Sequence, residues 1–404
     1  MEKWRTLKRK LALRLFILLL AGISIAILGF RFYHFWVGEN SVYDTIILVD
    51  SRVRAAIQGS LDQYKLDLAD EGLTCFQRTI SVDGLSASLL RDDLTQLWRT
   101  HRIKGCVLMG DFPYAMWERG GDQYPSDYFY MDLDGYWKDQ DGNGVYEEHK
   151  GNIAPEIWVG RIQASNVDGN ESELLNNYFE KNHNYRTRAS SPTWPRQALA
   201  YIDSGIANAA PIGGDAETYF GYVENTTLCL EKVYGQEVVV IHDTFANSNI
   251  ANAQDYTQRL NSTAGYEMVW LYCHGYHWPA PHYGYHTFDR SNVYWEFYLR
   301  DSPKAFFYIW DVCEAAEFYS PNCLGSSAIF GNGWGLVSIG MTTSGIPQCQ
   351  LFEFFTLLGE QENIGEALKT LWNSVVGING NVDYDESRKW VILGDPTLHL
   401  SAIS

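Results

Sequence analysis

The sequence has 404 residues and a net charge of −18, and 46% of its residues are hydrophobic. This length leaves room for two domains or for one domain with two lobes, and the hydrophobic content excludes a disordered chain. The first 40 residues carry seven basic and two acidic side chains, so by subtraction the remainder has a charge near −23. Because nucleic-acid phosphates repel such an acidic body, we expect no nucleic-acid partner.

Basic side chains precede an apolar run in the amino-terminal 40 residues. Residues 15–30 are uncharged and mostly Leu, Ile and Ala, and Arg31 and several aromatic residues follow. The run is slightly shorter than the roughly 17–25 residues that span a bilayer, but flanking aromatic and arginine side chains can extend it. We expect residues 1–40 to be a cytoplasmic basic segment and a transmembrane signal anchor, with a cleaved signal peptide as the main alternative. Either arrangement puts the body of the protein outside the cytoplasm.

From residue 41 to residue 190, apolar strand patterns alternate with helical patterns, and we assign these residues to an amino-terminal α/β lobe. The patterns predict strands at 45–50, 75–82, 105–111 and 155–162, and helices at 52–68, 86–100 and 171–188. Such alternation is typical of βαβ units and a parallel sheet.

An acidic, glycine-rich stretch at 124–150 interrupts this alternation. The pattern Asp-x-Asp-x-Asn-Gly at 139–144 places oxygen donors at alternate positions before a glycine, as in the first half of a calcium loop. The twelfth position is Lys150 rather than a glutamate, so the loop is not an EF-hand. We expect a structural Ca²⁺ site here, with a solvated acidic turn as the alternative. The candidate ligands are Asp139, Asp141, Asn143, Val145 and Glu147.

Two prolines make 190–195 the best linker candidate, and we assign residues 191–404 to a second lobe. The patterns predict strands at 197–203, 237–243, 267–275, 304–313 and 335–343, and helices at 215–231, 253–260 and 364–376.

Two strands of this lobe end in residues that can carry out chemistry. One ends in His274-Gly275 and the other in Asp311-Val312-Cys313. If the strands are parallel neighbours, an imidazole and a thiol lie together at the edge where open α/β sheets bind ligands. The histidine can then take the proton that a thiol must lose to become a nucleophile. An ordinary buried thiol and a histidine satisfied in the core are the alternatives.

Other cysteines and histidines near these strands are weaker candidates. Cys273 points to the opposite strand face from His274, and Cys323 lies in a turn. The seven cysteines lack the close Cys or His pairs of a zinc site. We expect three later histidines at irregular spacing to be loop residues that line or gate the cleft: His277, His282 and His286.

The strand ends and several further stretches together resemble the gingipain-type, caspase-like cysteine peptidases. The further stretches are Asp132-Leu-Asp134-Gly135, 155–162, Pro321-Asn322-Cys323-Leu324, 337–343 and 393–398. The resemblance implies a two-lobed α/β fold with mainly parallel sheets flanked by helices and a caspase-like catalytic lobe. It also implies hydrolysis of peptide bonds through an acyl-enzyme.

The resemblance also implies roles for individual residues. Cys313 is the expected nucleophile and His274 the general base and acid, with an oxyanion hole formed by the amides of Gly275 and Cys313. Asp203 falls where a carboxylate would orient the histidine. Asp215 and Glu217 are candidates for holding a substrate side chain, and calcium in the acidic loop agrees with the family.

Two functions remain open on the sequence. The first is a membrane-tethered, extracytoplasmic cysteine endopeptidase that acts on protein or peptide substrates. The second is a caspase-like fold that serves as an inactive binding or assembly module at the surface. The presence of both dyad residues favours the first.

Overall fold

One ten-stranded sheet runs through the computed structural model, which describes residues 42–188, 194–204, 216–244, 249–276, 285–288, 291–345, 351–379 and 384–400. The expected anchor at 15–30 and most of the expected linker at 190–195 lie outside the described residues. Among the described helices, none is long and apolar enough to cross a bilayer.

The nine predicted strands are all present, together with further strands within 116–150, 285–294 and 390–394 that the patterns do not predict. In chain order they are β1 (Thr45–Asp50), β2 (Cys75–Ile80), β3 (Gly105–Met109), β4 (Met116–Arg119), β5 (Asp122–Pro125), β6 (Tyr136–Lys138), β7 (Val145–Tyr146), β8 (Glu148–Lys150), β9 (Trp158–Ile162), β10 (Ala198–Ile202), β11 (Val238–His242), β12 (Tyr266–Tyr272), β13 (His274–Tyr276), β14 (Tyr285–Phe288), β15 (Ser291–Tyr294), β16 (Ala305–Asp311), β17 (Val337–Met341) and β18 (Trp390–Gly394).

The helices flank this sheet and connect its strands. They are α1 (Ser51–Arg54), α2 (Gln58–Asp70), α3 (Ala87–His101), α4 (Tyr128–Met131), α5 (Glu171–Thr187), α6 (Ala216–Tyr234), α7 (Ala253–Leu260), α8 (Trp295–Arg300), α9 (Leu324–Phe330), α10 (Phe352–Gly359), α11 (Ile364–Asn379) and α12 (Tyr384–Ser387). A turn at 55–57 divides the helix predicted at 52–68 into α1 and α2.

The order of strands in the large sheet is β11-β10-β12-β16-β17-β18-β9-β3-β1-β2. Neighbouring strands pair in parallel except for β17 and β18, which are antiparallel. Because β18 also pairs in parallel with β9, the two halves of the sheet run in opposite directions. The carboxyl ends of the amino-terminal strands therefore lie at the edge opposite the carboxyl ends of β10, β12 and β16.

The two predicted lobes share a core as well as a sheet. Helix α5 of the amino-terminal lobe is hydrogen-bonded to the residue before β17 and to the residue after β18. Its Tyr178 hydroxyl donates to the carbonyl of Leu336 at 2.9 Å, and its Asn182 amide donates to the buried carboxylate of Asp395 at 2.8 Å. Burying these polar groups in pairs fixes the position of one half-sheet relative to the other.

The acidic stretch contributes strands to two small sheets, β5-β4-β7 and β6-β8, which contact the amino end of β18. The Arg388 guanidinium lies 4.2 Å from the centre of the Trp117 ring and 3.2 Å from Nδ1 of His149. The Thr342 hydroxyl, just beyond β17, donates to the carbonyl of Pro125 at 2.8 Å. The insertion therefore supports the edge of the sheet at which β17 ends.

Candidate active site

Strands β12 and β16 are parallel neighbours, and their register pairs Tyr272 with Asp311. Every residue of both strands is buried, and exposure begins where they end, at His274 and Cys313. The imidazole and the thiol therefore emerge at one edge, which we call the catalytic edge: the carboxyl ends of β10, β12, β16 and β17. Ligands of open α/β sheets bind outside such strand ends.

Gly275 lies directly against the peptide backbone of the candidate nucleophile. A Cβ atom on Gly275 would lie 2.1 Å from the carbonyl oxygen of Cys313 and 3.0 Å from its amide nitrogen. Only glycine permits this approach, because two of the three nearest atoms belong to the Cys313 backbone, which cannot move aside. The amides of Gly275 and Cys313, the expected oxyanion donors, thus belong to chain segments in direct contact.

The cysteines near this edge differ in exposure. Cys313 is partly exposed, whereas Cys273 and Cys323 are 2% and 1% exposed. Burial raises the pKa of the Cys273 thiol well above its usual value, with further contributions from Asp203 and Cys313. Burial also raises the pKa of Cys323 to about 11. A thiolate forms with difficulty at both sites, so both are poor nucleophiles.

The acid two residues before the nucleophile has a structural partner. The indole N–H of Trp270 donates to the carboxylate of Asp311 at 2.6 Å, and the Trp270 ring stacks on Phe355. This bond joins β12 to β16 close to their ends. It therefore holds the strands that carry the imidazole and the thiol in register.

The segment after β17 forms one wall beside the thiol. Cys313 Sγ lies 3.9 Å from the carbonyl oxygen of Gly345, and the amide of Glu314 donates to the Thr343 carbonyl at 3.2 Å. The Ser344 hydroxyl donates to the Glu314 carboxylate at 3.3 Å. Glu314 has a φ of +60°, a conformation uncommon for a residue with a side chain. The chain thus turns sharply just after the candidate nucleophile.

Asp203 follows β10 and lies beside the base-bearing strand. Its amide donates to the Tyr272 carbonyl at 2.9 Å, and its side chain is buried. Its neighbour Ser204 donates through its amide and hydroxyl, at 3.1 Å each, to Asp243 at the end of β11. Of the candidates for holding a substrate side chain, Asp215 lies outside the described residues, as does the side chain of Glu217.

The expectation that His286 is a loop residue is wrong. It lies in β14, opposite Gly275, and is fully buried with Nε2 2.7 Å from the Tyr298 hydroxyl. Burial lowers the pKa of His286 to about 3. The imidazole packs against the rings of Tyr256, Tyr298 and Trp310, so this polar side chain forms part of the core. The other two histidines of that group, His277 and His282, lie outside the described residues.

The acidic loop brings three of its five candidate ligands together. Carboxylate oxygens of Asp139, Asp141 and Glu147 all lie within 4.8 Å of one another. The amide of Gly144 donates to Asp139 at 2.8 Å, and this bond lowers the pKa of that carboxyl group. The side-chain oxygen of Asn143 accepts from the Val145 amide at 2.7 Å. Three carboxylates are hard oxygen donors of the kind that Ca²⁺ binds.

Two asparagines for which the sequence indicates no role of their own, Asn166 and Asn322, hold the loop after Cys313 in place. The side chain of Asn166 donates to the carbonyls of Phe318 and Tyr319 at 3.2 and 3.1 Å. In return, the Asn322 amide donates to the Asn166 carbonyl at 2.8 Å, and the Asp168 amide donates to the Asn322 side chain at 2.8 Å. The loop is thus attached to the chain that follows β9.

Arg161 in β9 packs against the loop that follows Cys313. Its guanidinium lies 4.4 Å from the centre of the Phe318 ring and is held by the Asp127 carboxylate at 2.6 and 2.7 Å. Both charged groups are buried, so each depends on the other. The signal in the sequence was an arginine inside an otherwise apolar strand.

Residues 86–401 match the family model described as peptidase family C25. The chain belongs to that family. It is therefore a cysteine-type peptidase, and the predicted resemblance to gingipains is confirmed. No curated protein sequence matches the chain at the significance that the search required.

Solved structures of gingipain R share the fold of this C25 chain. The crystal structure of the Arg-specific cysteine proteinase gingipain R matches with a TM-score of 0.63 and 15% sequence identity, over 90% of this chain and 79% of that chain. The complex of the pro- and mature domains of RgpB from Porphyromonas gingivalis matches with a TM-score of 0.61 and 15% identity, over 88% and 79%. The predicted α/β, caspase-like fold is thereby confirmed.

Proposed function

We propose that this C25 chain is a membrane-tethered, extracytoplasmic endopeptidase that hydrolyses peptide bonds with a Cys313–His274 dyad. The observation that carries the proposal is the contact between Gly275 and the Cys313 peptide unit at the ends of two parallel strands. It brings the residue after the base onto the backbone of the nucleophile. Partial exposure of both dyad residues leaves them accessible to a peptide.

The arrangement supports acyl transfer in two steps. His274 takes the proton from Cys313, and the thiolate sulfur attacks the carbonyl carbon of the scissile bond. The amides of Gly275 and Cys313 donate to the oxyanion that forms, and His274 returns the proton to the leaving amine as the C–N bond breaks. Water, deprotonated by His274, then attacks the thioester and releases the acid and the free thiol.

Asp203 is the candidate for orienting the imidazole, because it lies at the end of the next strand and is buried. Asp215 and Glu217 remain candidates for binding a substrate side chain. The tether is the apolar run at 15–30, and its basic flank favours the cytoplasmic side for the amino terminus.

We also propose a structural Ca²⁺ ion in the acidic loop, held by Asp139, Asp141 and Glu147, with Asn143 and Val145 as further oxygen donors. Because the insertion supports the catalytic edge through Thr342 and Arg388, the ion would act on stability first. The melting temperature should rise with added Ca²⁺ and fall with a chelator. A melting temperature that changes neither with added Ca²⁺ nor with the chelator would overturn this assignment.

The dyad is tested with a pair of cysteine variants. Cys313 and Cys75 are the partly exposed cysteines among the six described, but Cys75 lies in β2 at the far end of the sheet. Cys313→Ala should abolish hydrolysis of a peptide library, whereas Cys75→Ala should retain it, with both variants folded by circular dichroism. Undiminished turnover by Cys313→Ala would reject the assignment. A wild-type protein that folds but cleaves no peptide would favour the inactive binding module.

A further inference from the structure

An exposed aromatic side chain stands next to the candidate base. Tyr276 in β13 is 44% exposed, and its ring centre lies 6.4 Å from that of His274. The two residues are separated by one position, so on a strand their side chains project from the same face. Gly275, between them, is the residue that touches the Cys313 peptide unit.

The order of strands sets the direction of a bound peptide. Cys313 follows β16, which lies between β12 on one side and β17 on the other. His274 stands on the β12 side, and the wall formed by 343–345 stands on the β17 side. Because the base must return a proton to the leaving amine, that amine lies toward His274. The acyl half of the substrate then lies toward the wall.

The residue that carries the leaving amine consequently passes over β13, where Tyr276 is exposed. A tyrosine ring offers a large, rigid apolar face with a polar tip, and aromatic rings attract one another beyond the effect of their buried area. Tyr276 is not a member of the proposed dyad, since it follows Gly275 in β13. Its position therefore suits the recognition of a neighbouring side chain.

We propose that Tyr276 forms the subsite for the substrate residue immediately after the scissile bond, and that it selects a large apolar or aromatic side chain there. This inference rests on the proposed peptidase function and specifies its substrate. It concerns the leaving half of the peptide and makes no demand on the residue before the scissile bond.

The test compares two peptides that differ only in the residue after the scissile bond, Phe in one and Gly in the other. Their acyl half is the sequence that the wild-type protein cleaves fastest in a library. The wild-type kcat/KM should be roughly 3- to 10-fold higher for the Phe peptide. Tyr276→Ala should bring that ratio close to 1, and Tyr276→Phe should preserve it.

Tyr294 supplies a matched control, because it is 41% exposed and lies in β15 of the same three-stranded sheet, away from His274. Tyr294→Ala should keep the wild-type ratio. Tyr276→Arg should raise kcat/KM for a peptide with Glu after the scissile bond relative to the Phe peptide, because arginine pairs with carboxylates. A folding defect cannot produce this new preference.

A wild-type ratio near 1, or the wild-type ratio retained by Tyr276→Ala, would overturn this inference and leave the peptidase function standing. Failure of the wild-type protein to cleave any peptide would overturn the peptidase function, and this inference with it.

Discussion

The ends of β1 and β3 and the ends of β12 and β16 are built alike but do different things. Each is a pair of adjacent parallel strands that ends in polar residues. In each pair a glycine packs against the neighbouring strand end: a Cβ on Gly110 would lie 2.5 Å from that of Asp50, as one on Gly275 would lie 2.1 Å from the Cys313 carbonyl oxygen.

The difference lies in what meets the polar groups. At the end of β1, the Arg52 guanidinium donates to the Asp50 carboxylate at 2.6 and 2.9 Å and to Asp111 at 3.4 Å. The positive charge of Arg52 neutralises the carboxylates at the ends of β1 and β3, which we call the closed strand ends. At the catalytic edge, the Cys313 thiol lies 3.9 Å from the carbonyl oxygen of Gly345, and both the thiol and the His274 imidazole stay partly exposed. A strand end becomes a reaction site when a nucleophile and a base remain reachable.

After loss of the nucleophile, which should abolish hydrolysis, the largest effect is expected from removing the proposed base. His274→Ala should lower kcat/KM for a library-selected peptide by about 100- to 10,000-fold, which is the usual contribution of a positioned general base. Steady-state kinetics with circular dichroism as the folding check measure it. Activity within a few-fold of wild type would mean that another group takes the thiol proton.

Gly275→Ala should have the next largest effect, a roughly 100-fold loss of kcat. The added methyl group displaces the Cys313 peptide unit, and with it one donor to the oxyanion. Gly110→Ala is the matched substitution at the closed strand ends, where φ is +104° and the side chain of Asp50 is in the way. It should lower the melting temperature and leave kcat of the folded protein unchanged. Equal losses of kcat in Gly275→Ala and Gly110→Ala would contradict the claim that only the ends of β12 and β16 form a reaction site.

Much of this comparison could be predicted from the sequence, because apolar runs of five to seven residues end abruptly in polar ones. That pattern located β12, β16 and the residues of the proposed dyad, and the alternation of runs indicated the parallel sheet. It could not show that β18 reverses the sheet, so that Asp50 and Asp111 lie at the opposite edge from Cys313. Nor could it show the bonds of Asn166 to the loop after Cys313, which join residues 152 and 153 positions apart.

His286 illustrates a second limit. Its spacing from His274 suggested a loop, but Tyr298 and Tyr256 enclose it, and that enclosure depends on tertiary contacts. The Arg161–Asp127 pair was missed for the same reason, since the partners are far apart in sequence and meet only in the fold.

A smaller, pH-dependent effect is expected at the catalytic edge. Burial lowers the pKa of His286 to about 3, against about 6.5 in the unfolded chain. Between these values the unfolded state binds a proton that the folded state does not, so stability falls as the pH drops below about 6.5. His286→Gln should reduce the slope of the unfolding free energy against pH between 6 and 4.5 by about 1.4 kcal/mol per pH unit.

Urea unfolding at several pH values measures this slope. His101→Gln is the control, because that histidine lies at the end of α3 and is not fully buried. An unchanged slope in His286→Gln would show that the imidazole accepts a proton in the folded protein.

The smallest effect is expected at the closed strand ends. Arg52→Ala removes the bonds to Asp50 and Asp111 but leaves the backbone amide of residue 52 donating to Asp50 at 2.9 Å. Because Arg52 is 48% exposed but the Asp50 side chain is only 1% exposed, we expect a loss of about 1–2 kcal/mol in unfolding free energy and no change in kcat/KM. A substantial loss of activity would show that the two edges are coupled.

The most direct test of the central claim is the site of covalent labelling in the folded wild-type protein. A limiting amount of iodoacetamide, followed by peptide mapping, should modify Cys313 well before Cys75, whose pKa is raised by burial. The preference should shrink in His274→Ala. Two results would contradict the proposed dyad. One is labelling of Cys75 at the same rate as Cys313, and the other is an unchanged labelling rate of Cys313 in His274→Ala.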